Sequence, residues 1–353
     1  MIETTQLTTI LQEHLHWHKA LVRFATAFVL ALLRLRTVTF PNLALALNFH
    51  AKPESDERRL QRFFASFKLD LDAFANLLLG LVPSQEKLII TLDRTHWQVG
   101  RVHLNVLLFG IAHEGVAFPI LWRLLGKSGN SSQQERAALL SRLLHVIPRE
   151  RIAVVVADRE FISEAWFETL TTARIPFVIR IRKNALVTSR GCTKHAEQWL
   201  AALGVGEVQR RKRRVMVYGQ RVWLTCLRRG AGQDDMILAS NQAFPDALSL
   251  ICAALVYRDA FCCLKSRGFD LEATRLRDDA RVERLLALLA LTFAFAYRVG
   301  LWLAERVPIR LKGHGRKARS MFRVGLDHLR GVLLNLPYRG KEFGQCLRAL
   351  QVT

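Results

Sequence analysis

The six cysteines (Cys192, Cys226, Cys252, Cys262, Cys263 and Cys346) form no CxxC pair and no zinc-ligand spacing. That pattern excludes the common structural zinc sites, and the adjacent Cys262 and Cys263 have poor geometry for a structural disulfide. Reduced thiols in a cytoplasmic setting are expected. Long hydrophobic runs are also missing. The longest, "LLALLALTFAFAY" (285–297) and "FATAFVLALL" (24–33), fall short of the ~20 residues of a membrane span. Arginines flank both, so they read as buried helices. The polar opening "MIETTQ" predicts no signal peptide. Acids are scarce beside bases: 30 Asp and Glu stand against 52 Lys and Arg, a formal net charge of +22 with a pI near 10.7.

What is present is a chain of 353 residues, half of them hydrophobic, long enough for two or three domains and not a disordered tail. A globular chain this basic calls for a polyanionic partner, because Lys and Arg brought to phosphates release condensed counterions. Nucleic acid is favoured over a ribosome-like structural role or an anionic membrane surface, and nucleoid association is the expected location.

Composition divides the chain. Residues 1–80 carry apolar positions at helical spacing, with Ser55 expected to start one helix. They read as a helical DNA-binding or accessory region, with the exposed "RRLQR" open to either role. Residues 81–183 alternate: "KLIITLDRT", "HLNVLLFGIAH" and "VAFPILWRLL" as strands, "SSQQERAALLSRLLHVI" as a helix capped by Asn130 or Ser131. "RIAVVVADREF" is a buried strand, "SEAWFETLTTA" a helix and "PFVIRIR" another strand. The order predicts a mixed α/β sheet with helices on its faces. Residues 184–245 are β-rich and basic, with a hairpin about "YGQ" and a strand in "DMILASN". Residues 246–305 return to helix, broken near Gly268, and 306–353 read as a basic loop or helix tail.

Asp93 and Asp158 each stand where an apolar strand is expected to end, the place where α/β sheets put their working groups. Two neighbouring carboxylates are poorly tolerated unless neutralised, and a hard divalent cation such as Mg²⁺ or Mn²⁺ does so with oxygen ligands. A pair of such ions clamps the attacking and leaving oxygens of an in-line phosphoryl transfer. A turn or helix cap is the plainer role for either residue. The same choice applies elsewhere. Arg180, Arg182 and Lys183 suit a DNA-backbone track or a solvated strand face. The run Arg210, Arg211, Lys212, Arg213 and Arg214 favours an anion, since five adjacent like charges repel. Trp223 would stack on an unpaired base or pack in the core. Arg159 would hold a phosphate or pair with a carboxylate; His96 and Trp97 would meet DNA or pack on the sheet.

"TLDRTHWQVG", "VVVADREFI", "FVIRIRKN" and "LKSRGFDLEATRL" resemble successive blocks of the IS4 family of insertion-sequence DDE transposases, over about residues 87–320. The resemblance implies an RNase H-like core with Asp93 and Asp158 as its first two metal-binding carboxylates and 184–245 as a β-rich insertion. It also implies a two-metal site, terminal-repeat and target DNA as partners, and a homodimer on that DNA. The family's late helix carries Tyr, Arg, Glu and Lys at spacings that share one helix face. Lys265 anchors this signature, and counting back places Arg258 at the glutamate position, Ala254 at the arginine position and Ile251 at the tyrosine position. None matches. Asp259 lies about 100° round the helix, and Glu272, beyond Gly268, is a weak substitute ligand. A one-base shift in one codon choice for "ICAALVYRDA" restores tyrosine, arginine and glutamate at 251, 254 and 258, which suggests compensating frameshifts; the gene's codons test this. The implied function is metal-dependent DNA cleavage and strand transfer in a copy impaired by loss of its third carboxylate. Its alternatives are an inactive DNA-binding protein that inhibits transposition and an RNase H-like nuclease.

Overall fold

Apolar residues at helical spacing fold the first region into α1 (Ile2–His14), α2 (Lys19–Leu35), α3 (Phe40–Ala46), α4 (Pro53–Ser66) and α5 (Leu71–Leu81). α4 starts two residues before Ser55, because Pro53 pre-sets the first turn. The computed structural model describes residues 2–15, 17–47, 49, 52–83, 86–256, 259–313 and 317–350, and the side chains of these except 2–4, 14, 252–256, 259 and 260. Phe28, Leu60, Phe64 and Phe74 are fully buried in the main core, so these helices pack on the rest of the chain. The arginines of "RRLQR" stay on the exposed side of α4.

The sheet follows as β1 (Leu88–Val99), β2 (Val102–His113), β3 (Val116–Leu124), α6 (Gln133–Val146), β4 (Ile152–Ala157), α7 (Glu164–Thr172) and β5 (Phe177–Arg180). β1, β2 and β3 form an antiparallel meander whose second turn uses Glu114 and Gly115 at positive φ. β4 and β5 run parallel to β1. The order β3-β2-β1-β4-β5 with these directions is that of an RNase H-like sheet. The cap of α6 is Ser132, one residue later than expected, because only there does Glu135 close a reciprocal capping box.

The basic stretch contains β6 (Leu186–Ser189), β7 (Cys192–His195), β8 (Val208–Arg210), β9 (Val215–Val217), β10 (Gln220–Leu227) and β11 (Met236–Ser240). The β9–β10 hairpin turns at Tyr218 and Gly219, both at positive φ as a type I′ turn demands. β11 pairs directly with β5, and β10 with β11, so the insertion continues the main sheet instead of standing apart.

α8 (Ala247–Val256), α9 (Asp259–Leu264) and the 26-residue α10 (Asp279–Ala304) come next. α10 is long and apolar enough to cross a bilayer, but 83% of its most apolar window is buried within this fold. The C-terminal region is not a tail. It forms α11 (Met321–Leu334) and α12 (Leu336–Arg348), with Phe322, Leu326, Leu329 and Phe343 buried. α10 and α11 meet backbone to backbone at Gly300 and Gly325, where a Cβ would collide with the carbonyls of Met321 and Ala296.

Candidate active site

The register fixes the two aspartates. β1 and β4 pair in parallel as far as Leu92 opposite Ala157, and Asp93 and Asp158 are the next residues on each strand. β1 does not end at Asp93 as expected. It runs on to Val99 against β2, because its outer half alternates buried Thr95 and Trp97 with exposed His96 and Gln98. What ends at Asp93 is the pairing with β4. Side chains alternate along a strand, so Asp93 shares a face with Ile89, and Asp158 with Val154 and Val156. Those residues, with Val178, Met236 and Leu238, form a second hydrophobic cluster sealed by Ala247 and Ile251 of α8. Both carboxylates therefore project from the face that α8 covers.

A clamp on β1 braces these positions. Arg94, with a side chain only 10% exposed, donates Nε and Nη2 to the two oxygens of Glu160 at 3.2 and 3.1 Å. It also donates to Asn105 at 3.1 Å and Asn130 at 3.3 Å. Asn105 in turn donates to the carbonyls of Lys127 and Gly129. One guanidinium thus joins β1, β2, the loop after β3 and the loop after β4. Bidentate pairing of this kind fixes geometry as well as adding energy. The carboxylates themselves turn back onto the chain: Asp93 accepts from the Arg94 amide and Asp158 from the Arg159 amide, each at 2.8 Å.

Arg180, on β5, lies 3.8 Å from Asp158 and 3.6 Å from Asp234, and donates to the carbonyl of Asp235 at 3.0 Å. Its side chain is 9% exposed. Burial pushes its pKa below the ordinary guanidinium value, with Asp158 opposing that shift. Arg180 is therefore an interior partner of acids and no part of an exposed track. Arg182 and Lys183 do face solvent, and Lys183 reaches Asp235 at 3.2 Å. In the basic run, Arg210, Lys212, Arg213 and Arg214 are exposed, while Arg211 is half-buried with its guanidinium 4.4 Å from the ring centre of Trp199. Arg214 lies over Trp223, which is half-buried on β10.

The expected third position brings less. Arg258 lies outside the described residues, as do the side chains of Ala254 and Asp259. Ile251 is 1% exposed, a core residue under the sheet. Glu272 pairs with Lys265 at 2.6 Å, and Lys265 also sits 5.7 Å over Trp97. Trp97 is four residues past Asp93, about 13 Å along the strand at the usual rise. Glu272 is thus engaged by a cation that itself lies over Trp97 of β1. Lys265 is neutralised by it, with a side chain 17% exposed. Among the described residues, no three His, Cys, Asp or Glu side chains gather as a metal cage. Arg94 was not singled out by sequence, because its partners lie 11 to 66 residues away. Asp234 went unnoticed for the same reason.

Residues 112–226 match the sequence profile of the transposase DDE domain. The match takes in Asp158 and residues 184–226 of the insertion, but begins after Asp93 and stops before β11 and α8. Among curated protein sequences nothing matches the chain. Among solved structures it is similar to piggyBac transposase in a synaptic complex with hairpin DNA, at 11% identity and a TM-score of 0.45 over 99% of this chain and 81% of that one. It is also similar to endonuclease V from Bacillus subtilis, at 12% identity and a TM-score of 0.28 over 70% and 95%. Scores of this size leave the fold to be read from the strand order itself.

Proposed function

We propose that this chain is a DDE-type DNA transposase that acts on the ends of an insertion sequence, of the IS4 kind, in a copy that binds DNA but cleaves it poorly. The observation that carries the proposal is the pairing of Asp93 with Asp158 beyond the last β1–β4 register pair, on the face covered by α8, inside an RNase H-like sheet. The transposase DDE profile over 112–226 supports the same reading. The net charge of +22 and the exposed cations of 182–183 and 210–214 suit duplex DNA, of the terminal repeats and of the target.

The donor set fits a hard divalent ion: two carboxylates on one face, with Mg²⁺ or Mn²⁺ taking oxygen ligands from Asp93 and Asp158. When bound there, such ions supply an activated water and charge stabilisation at the phosphodiester. The chain's own contribution is placement. The sheet holds the two oxygen donors in register and the Arg94–Glu160 clamp keeps their loops from drifting. A third donor is expected from the chain beyond α8. β11 is antiparallel to β5, so α8 starts beside the N-terminal ends of β4 and β5 and, packed on both, leads towards the carboxylate end. By the family's spacing the glutamate position falls on Arg258, a cation whose charge would oppose metal binding. An assembled homodimer on paired ends and a site of action on the nucleoid in the cytoplasm belong to this proposal.

The favoured second reading is a DNA-binding protein without catalysis, because Glu272, the substitute third ligand, is engaged by Lys265. The deciding experiment incubates the chain with DNA carrying the sequences that flank its gene, with Mg²⁺ or Mn²⁺. A gel shift with no strand cleavage is expected. Robust cleavage lost in Glu272→Ala would install Glu272 as the third ligand, and cleavage without strand joining would make the protein a nuclease.

A further inference from the structure

Beside Asp158, an open cleft of about 530 Å³ is bordered by the charges of Arg159, Arg182, Lys183, Glu160, Glu197 and Asp234. In a chain with an excess of 22 positive charges, this cleft holds three cations and three carboxylates. Glu160 is engaged by Arg94. Asp234 is different. Its Oδ2 lies 3.0 Å from Arg159 and 3.6 Å from Arg180, and Arg180 is the residue that also faces Asp158. One carboxylate oxygen therefore stands between two guanidiniums, one ion pair away from a proposed metal-binding carboxylate.

The segment that delivers it is suited to leaving. Residues 231–234, between β10 and β11, are exposed, and Gly232 takes φ +79° with nothing near its Cβ position. Asp235, by contrast, is anchored: it accepts from the Arg229 amide at 2.8 Å and pairs with Lys183. Those contacts, the amide first, hold its carboxyl below the usual carboxylate range. Asp234 is thus the exposed neighbour of an anchored residue, with a side chain 55% exposed and paired with Arg159 and Arg180.

We propose that Arg159 and Arg180 form a phosphodiester subsite next to Asp158, and that Asp234 fills it as an internal anion until a phosphate of DNA displaces it. Arg180 is the buried, pre-placed charge and Arg159 the arm that reaches out. The displaced carboxylate swings to solvent with the exposed turn. This rests on the transposase reading for the identity of the ligand, but not for the anion chemistry of the fork.

The test uses the full chain and two probes, a fluorescent DNA duplex read by anisotropy and tripolyphosphate read by calorimetry. Asp234→Asn is expected to tighten both about three- to tenfold at low salt. It should also steepen the slope of log affinity for DNA against log salt by up to about one. Arg159→Gln added to Asp234→Asn should remove the gain, and the remote control Glu150→Gln should give none. Equal or weaker binding by Asp234→Asn, or a gain that survives Arg159→Gln, overturns the subsite. If DNA is not bound by any variant while tripolyphosphate keeps the expected order, the subsite stands and the transposase reading falls. If DNA is bound by all variants alike, the reverse holds.

Discussion

Asp93 and Asp158 stand on strands whose register leaves them one face to point from, whereas α8, packed on that same face, carries no charged residue along its ten positions. The strands are tied to their neighbours by the Arg94 clamp. The helix is tied by Ala247 and Ile251 in the small core. The contrast is between strands whose polar groups are wired into the fold and a helix whose described side chains hold it through apolar packing. In the proposed site, a missing third carboxylate would not by itself cost stability, because two acids repel each other less than three. Substitutions on the exposed side of such a helix are cheap for the fold, whereas removal of Arg94 strips several partners at once.

Ile251→Ala should have the largest effect on stability. Emptying a side chain that is 1% exposed costs about 2–5 kcal/mol in denaturant unfolding, and a smaller loss would mean that α8 is less firmly seated than the strands. Arg94→Ala follows at about 2–3 kcal/mol, since it strips Glu160 and two asparagines of a shared partner and Glu160 is partly exposed. A loss below about 1 kcal/mol would dissolve the distinction between the halves. Glu272→Gln should cost under about 1 kcal/mol, as its pair with Lys265 is half open to water, and should leave Mn²⁺ affinity unchanged in calorimetry. Smallest of all, Asp93→Asn should raise metal-free stability by a few tenths of about 1 kcal/mol, through relief of repulsion with Asp158. The same variant should lose the rise in thermal midpoint that Mn²⁺ gives the native chain.

Much of the sheet was legible because its strands are written in strong signals. "RIAVVVA" has no polar residue within β4, and the "HEG" and "YGQ" turns supply the positive-φ positions that hairpins need. Asp93 and Asp158 were found by standing at the ends of such runs. The course of β1 beyond Asp93 rests on the period-two alternation of "RTHWQV", a quieter signal than the unbroken apolar run that drew attention to Asp93 as a strand end. Nor does a strand name its partner: that β11 joins β5 follows from packing of Leu238 and Met236 under α8. The C-terminal helices were hidden by their arginines. Arg323 answers Asp327 at 2.8 Å and Arg330 donates to the Arg34 carbonyl at 3.1 Å, contacts that span up to 296 residues. Arg180, read from sequence as one of a row of surface cations, is buried and faces Asp158 and Asp234, contacts that no spacing in the sequence announces.

The measurement that bears most directly on the account compares two chains on DNA carrying the sequences that flank the gene, with Mn²⁺ or Mg²⁺. One is the chain as it stands. The other carries the shifted reading of 251–260, with tyrosine, arginine and glutamate at 251, 254 and 258. Both chains should bind, and the second should cut at least about a thousandfold faster than the first, with cutting abolished by Asp158→Asn. A native chain that cleaves as fast as the restored one, or cleavage that survives Asp158→Asn, would contradict the account.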